Sequence, residues 1–321
     1  MLFPHPRWLH RSWCLLLPLV GSLGCTRADT ESNAVAQTAS PLVADSIATA
    51  APGTDDFGAP VPTDAQFAAR VVSLNPAATE VIFAIGADSL LVGRSRWDTF
   101  PNEALRVADV GDGIRPNIEA VLAVRPTLVV LYATAENRNA AAAFERAGVR
   151  TLALRVDHIA QFHRMVAQLG RALGAEARAR IVSDSVQQTL DRVSAVTRNA
   201  IRKRVVWPVW ESPVMVIGRG SYLDELITIA GGNNAFHDLD APSPSVSIEE
   251  IAKRNPDVVI TSAPRAAELA VNAQWRVIPA VRAKQFVVHD PTVTGRPSVV
   301  LGMGAVQLAR ALHPELADQL R

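Results

Sequence analysis

Two glutamates, Glu119 and Glu249, sit at the same place in two stretches of the chain that read alike. NIEAVLAVRPTLVVL begins at Asn117 and SIEEIAKRNPDVVIT begins at Ser247; they align without a gap, 117 against 247, at an offset of 130. Each opens on a residue type that caps helix N-termini, Asn117 or Ser247. Each continues with Ile-Glu, a short helical run, a proline that ends it, and a β-branched run that predicts a buried strand. Ser247 and Glu250 add a capping-box pattern to the second copy. A carboxylate in the first turn of a helix complements its positive end, worth about 0.3–1 kcal/mol. Two such carboxylates at matched positions on like units can also orient a charged partner.

The other residues able to do chemistry stand just after apolar runs. Asn75 and Pro76 follow the first, Trp97 the second and Tyr132 the third, while Trp210 and Glu211 follow the run that starts at Arg204. Aromatic side chains at strand ends can form a flat wall for a ring-like ligand. Arg296 could hold a carboxylate or phosphate. The histidines carry no metal pattern: His158 and His163 are on different faces of a helix, His237 and His289 are isolated, and neither His-Glu-x-x-His nor Cys-x-x-Cys occurs. No metal site is expected from side chains; Tyr132 and His237 are the candidates were a haem iron to be bound. Gly-x-Ser-x-Gly and a Walker lysine motif are both missing, and Gly218-Arg219-Gly220 lacks the third glycine of a dinucleotide fingerprint. An enzyme would have to draw on Glu211, Asp98 and Asp290, so binding without catalysis, and without a cofactor, is the leading expectation.

The elements that must position these residues come in two sets. Strands are predicted at 71–74, 90–94, 128–132 and 151–154, with helices at 79–86, 137–147 and 159–173. A second series has strands at 204–207, 258–261 and 285–288, with helices at 224–231 and 298–312. Strand alternating with helix implies an α/β fold with mostly parallel sheets covered on both faces. The chain is long for one core, and two lobes, 67–174 and 203–321, solve that. Between them, 175–202 carries Val182, Val186, Leu190, Val193 and Val196 on one helix face with no Gly or Pro from 175 to 202, which predicts a stiff interlobe helix. Ligands of open α/β sheets sit at the carboxyl ends of the strands, so the cleft between two such lobes is the expected site.

Arg7 and Arg11 precede an apolar run at 13–23 that is too short to span a bilayer comfortably, and the whole of 1–25 reads as a signal segment. It ends Ser22-Leu23-Gly24-Cys25, a lipobox-like sequence in which Cys25 would be lipidated. Residues 26–66, rich in Ala, Ser, Thr, Asp and Pro, read as a tether. Cys14 lies within the removed segment, so the folded part has no disulfide. With 32 Lys plus Arg against 31 Asp plus Glu, the net charge of +1 gives no footprint for nucleic acid.

RVVSLNPAATEVIFAIGA (70–87), SRWDTFP (95–101), VIGRGSYLDELITIAGGNNAF (216–236) and the two repeated stretches together resemble the iron-siderophore and cobalamin periplasmic-binding family, the substrate-binding proteins of ABC importers, and most of all its cobalamin-binding branch. The resemblance covers about residues 70 to 315. It implies a bilobal monomer, outside the cytoplasm and held to a membrane only by a lipid at Cys25. It implies a corrinoid ligand with Trp97 and Tyr132 at positions that face it; Asn75, Pro76, Trp210, Glu211 and Arg296 join them as expected contacts from their places after the strands and in the late loop. It also implies a permease dimer as partner, with Glu119 and Glu249 each docking onto arginines of one subunit. Where cobalamin binders often place tryptophans in the second lobe, this chain has Asp240-Ala241-Pro242-Ser243 and Pro291-Thr292-Val293-Thr294, so haem and ferric siderophores remain alternative ligands. A sensor with no transport role is a further alternative.

Overall fold

A computed structural model describes residues 53–63 and 69–321. The signal segment, Cys25 and the tether as far as residue 52 lie outside the described residues. The tether expected to run to residue 66 is corrected at its end, because 53–63 packs on the first lobe. Asp56 N donates to Ala153 O at 2.9 Å, the buried Asp55 carboxylate accepts from Ala153 N at 2.9 Å, and Arg164 reaches Asp56 Oδ1 at 2.6 Å. These bonds cover an edge strand that would otherwise expose unpaired backbone groups.

The first lobe runs β1 (Val71–Leu74), α1 (Pro76–Ala84), β2 (Leu91–Arg94), α2 (Ile118–Ala123), β3 (Leu128–Tyr132), α3 (Ala135–Arg146), β4 (Arg150–Leu154) and α4 (Ile159–Ala172). Its strands are all parallel, in the order β2-β1-β3-β4. Helix α5 (Glu176–Thr197) then leads to the second lobe. That lobe contains β5 (Lys203–Val206), β6 (Pro208–Glu211), β7 (Val214–Val216), α6 (Tyr222–Ile229), β8 (Gly232–Asn234), α7 (Ile248–Arg254), β9 (Val258–Thr261), α8 (Ala263–Val271), α9 (Pro279–Arg282), β10 (Phe286–Val288), α10 (Pro291–Thr294) and α11 (Leu301–Leu312). Its main sheet is parallel with order β10-β9-β5-β8. Read from the other edge this is the order of the first lobe, with β5 in the place of β1 and β9 in the place of β3.

The repeat extends to the backbone. Asn117 Oδ1 accepts from Ala120 N at 3.1 Å and Ser247 Oγ accepts from Glu250 N at 3.1 Å, so both helices are capped alike. Arg125 and Asn255, again 130 apart, both take positive φ (49° and 46°). Each precedes a proline, which disfavours the right-handed helical region for the residue before it. The capping box is only half formed: the Glu250 carboxylate accepts from Arg254 Nε at 2.8 Å, an i,i+4 pair.

Helix α5 has 22 residues, shorter than the expected span, and is about 33 Å long at ~1.5 Å per residue. Val186, Leu190 and Val193 are buried along its inner face, against α4 and α11. Its continuous core with both lobes makes it a strut between them.

Candidate functional site

In the first lobe the segment after β2 is knotted from within. Asp98 is buried and its carboxylate accepts from Thr79 Oγ1 at 2.8 Å, Ser95 Oγ at 2.8 Å and Ser95 N at 3.1 Å. Burial pushes its pKa up to about 6, against the pull of those donors. The knot leaves the neighbouring Trp97 side chain outside, 56% exposed. After β3, Tyr132 is half-buried and its hydroxyl donates to Asp157 Oδ1 at 2.9 Å. Burial raises its phenol well above the ordinary value, so it is a neutral donor at neutral pH.

Two of the expected ligand contacts are engaged within the protein. Asn75 is buried; its Oδ1 accepts from Ala78 N as the α1 cap and its Nδ2 donates to Leu154 O at 3.3 Å. One end of the amide caps the helix that Pro76 opens and the other ties it to the end of β4. Arg296 Nε donates to Oε1 of the buried Glu80, in the other lobe, at 2.5 Å. A carboxylate inside α1 needs a counter-charge, and Arg296 supplies it across the lobes. His158 and Glu225 make a second tie, Nδ1 to Oε1 at 2.6 Å, beside a backbone bond from Tyr222 N to Asp157 O.

The second lobe holds a cavity of about 700 Å³ at the carboxyl ends of β5, β9 and β10. Trp207, Trp210, Tyr222, Leu269 and His289 give it apolar and aromatic walls; Ser212, Thr261, Ser262 and Thr294 supply neutral polar groups. Trp207 and His289 pack with ring centroids 4.7 Å apart. Trp210 projects from the β6–β7 hairpin at 62% exposure, its indole N–H donating to Ser212 O at 3.1 Å. Glu211, next along that strand, pairs with Arg265 of α8, which also donates to Glu268 Oε2 at 2.6 Å.

Of the sequence candidates, Trp210 and Glu211 line this cavity, while Asn75, Pro76, Trp97, Tyr132 and Arg296 do not. His237, considered for haem iron, is outside the lining and bonds Asp224 Oδ2 at 2.8 Å. Asp290 caps α10 through Thr292 N at 2.9 Å. Trp207, Tyr222, Arg265 and His289 were not singled out from sequence as contacts. The strand-end rule reaches three of them: Trp207 and His289 directly follow β5 and β10, and Tyr222 opens the helix after β7.

Glu119 and Glu249 are both exposed and, among the described residues, neither carboxylate has an ion-pair or hydrogen-bond partner. Each sits in the first turn of its capped helix, α2 or α7.

Known proteins of similar sequence include the ABC transporter substrate-binding lipoprotein YvrC of Bacillus subtilis, itself uncharacterised, 26% identical over 77% of this chain and 80% of its own length. The vitamin B12-binding protein of Vibrio parahaemolyticus is 25% identical over 66% of this chain and 78% of its own. Among solved structures, the periplasmic haem-binding protein RhuT of Roseiflexus sp. RS-1 superposes with a TM-score of 0.69 at 23% identity, covering 78% of this chain and 99% of that one. The family model described as periplasmic binding protein matches residues 71–293, both lobes and the strut between them, and the chain belongs to that family.

Proposed function

We propose that this chain is an extracytoplasmic substrate-binding protein of an ABC importer, that it captures a corrinoid in the cleft between its lobes, and that it hands the ligand to a permease. The observation that carries the reading is the aromatic-walled cavity of about 700 Å³ at the strand ends of the second lobe. Flat walls and few polar groups suit a rigid macrocycle. The exposed Trp97 and Trp210, one per lobe, offer further stacking surface. The vitamin B12-binding relatives support the corrinoid, and YvrC, named a lipoprotein, supports an anchor at Cys25. Binding is favoured over catalysis because Asp98 and Asp290 are committed to internal hydrogen bonds and Glu211 is paired with Arg265.

Haem is the second reading, favoured by His289. Thr294 Oγ1 donates to Asp290 O at 3.1 Å, so it accepts from His289 Nδ1 at 2.7 Å, and Nε2 is left with the lone pair. Burial lowers the pKa of this imidazole, which keeps it neutral and able to ligate. Absorbance titration of the purified protein with cyanocobalamin and with haemin tests both readings. Saturable binding of cyanocobalamin at micromolar concentration or below is expected; binding of neither compound overturns the tetrapyrrole assignment.

A further inference from the structure

The charges around the second-lobe cavity point to the kind of ligand edge it accepts. Among the described residues lining it, Arg265 is the only Lys or Arg. That guanidinium is bracketed by Glu211 on one side and by Glu268, 2.6 Å away, on the other. The next cation along the rim, Arg296 after the lining residue Gly295, is taken by the buried Glu80. His289 has its pKa lowered by burial and adds no positive charge at neutral pH. The cavity therefore presents no uncommitted cation, and Glu211 places a carboxylate in its wall.

From this arrangement we infer that Glu211, by holding Arg265, is a specificity-determining residue that makes the cavity select a ligand with an uncharged, amide- or alkyl-bearing rim over one with carboxylates. The inference rests on the tetrapyrrole reading above. A carboxylate entering here would be desolvated beside Glu211 without a counter-ion, which is costly. An amide rim loses far less, because Ser212, Thr261 and Ser262 in the lining can exchange hydrogen bonds with it. Discrimination thus comes from what repels the wrong ligand as much as from what holds the right one.

The test is the ratio of affinities for haemin, a dicarboxylate, and cyanocobalamin, which carries amides on its rim. Both are titrated into the mature wild-type protein and into Glu211→Gln, which releases Arg265 from one partner and removes the wall charge. Ser262→Lys adds an unpaired cation to the same wall and serves where Glu211→Gln does not fold. Cyanocobalamin should bind the wild type more tightly than haemin. Each variant should shift the ratio toward haemin by about tenfold, equal to ~1.4 kcal/mol, and high salt should reduce that shift. An unchanged ratio in the folded variants, or a wild type that prefers haemin, overturns the inference while leaving the tetrapyrrole reading intact. Binding of neither compound removes both.

Discussion

Arg296 and Glu80 are 216 residues apart in the chain and joined at 2.5 Å between the lobes, with Ser298 Oγ on the second carboxylate oxygen. Burial raises the Glu80 pKa, and Ser298 and Arg296 pull it back. The pair is thus a tie whose loss would strand a charge. Arg296→Ala should cost about 3–5 kcal/mol, the scale of breaking a buried pair from one side. Glu80→Gln with Arg296→Met should recover part of that loss. In Arg296→Ala the Glu80 carboxyl loses its cation and its folded pKa rises further, so acidification from pH 7 toward 5 should raise the melting temperature relative to wild type. Thermal melts of the three variants across that range check this; an Arg296→Ala protein as stable as wild type at pH 7 would show the tie to be idle.

Asp98 sets a second pH dependence. Its folded pKa of about 6 lies above the ordinary 3.8, so the folded state holds a proton that the unfolded state has released. Stability from this group is present below pH 3.8 and is lost as pH rises toward 6, after which it is flat. About two units correspond to no more than roughly 3 kcal/mol. Asp98→Asn should flatten that slope in denaturant titrations between pH 4 and 7. Because the same carboxylate fixes the turn beneath Trp97, the variant should also weaken ligand binding.

The wall itself is testable residue by residue. Trp210→Ala and Tyr222→Phe separate aromatic surface from hydroxyl chemistry. The Tyr222 hydroxyl donates to Thr294 O at 2.7 Å, so its removal should affect stability more than affinity. Trp210→Ala should weaken binding by about 1–3 kcal/mol with little change in melting, since the ring is mostly exposed. Trp97→Ala and Tyr132→Ala should each weaken binding by a similar amount if the first-lobe face closes the site. Full affinity in all of the Ala variants, measured by calorimetry, would move the site elsewhere.

Much of this frame can be read from the chain because it is local. Asn117, Ser247, Pro126 and Pro256 act within a few residues of themselves, and the two lobes share strand order as well as words. Gly86 and Gly231, the last residues of the predicted helices 79–86 and 224–231, take left-handed backbone with φ of 70° and 80°, which glycine adopts at no steric cost. The site is less legible because its determinants are distant pairs. Nothing local ties Arg296 to Glu80 or Arg265 to Glu211, and Arg296 alone looks like a ligand contact. The β6–β7 hairpin has no counterpart among the predicted strands, yet β6, which Pro208 opens, carries Trp210 and Glu211. Asn75 reads as a polar ligand contact in sequence because a helix cap, the role its side chain fills here, has the same residue type.

The lobes should move little on loading. Helix α5 packs continuously on α4 and α11, and the Glu80–Arg296 and His158–Glu225 ties bridge the lobes. A strut of this length without Gly or Pro has no residue that absorbs a large backbone change. Solution scattering with and without ligand should give nearly coincident profiles; a hinge closure of tens of degrees would overturn this.

Glu119 and Glu249 carry the last prediction. Each is exposed, unpaired among the described residues and set in the first turn of a capped helix, at matched positions on two lobes held by one strut. As helix-end charges alone they would be worth about 0.3–1 kcal/mol each and nothing to transport. Two unpaired carboxylates on a rigid body can instead fix its orientation on a basic partner and speed encounter in a salt-dependent way. Glu119→Ala and Glu249→Ala should therefore leave ligand affinity unchanged and melting within about 1 kcal/mol. Association with the cognate permease in membranes, and uptake at limiting ligand, should fall in each, and further in the double variant. Wild-type uptake by the double variant at equal expression would falsify the docking role and leave both residues as helix-end charges.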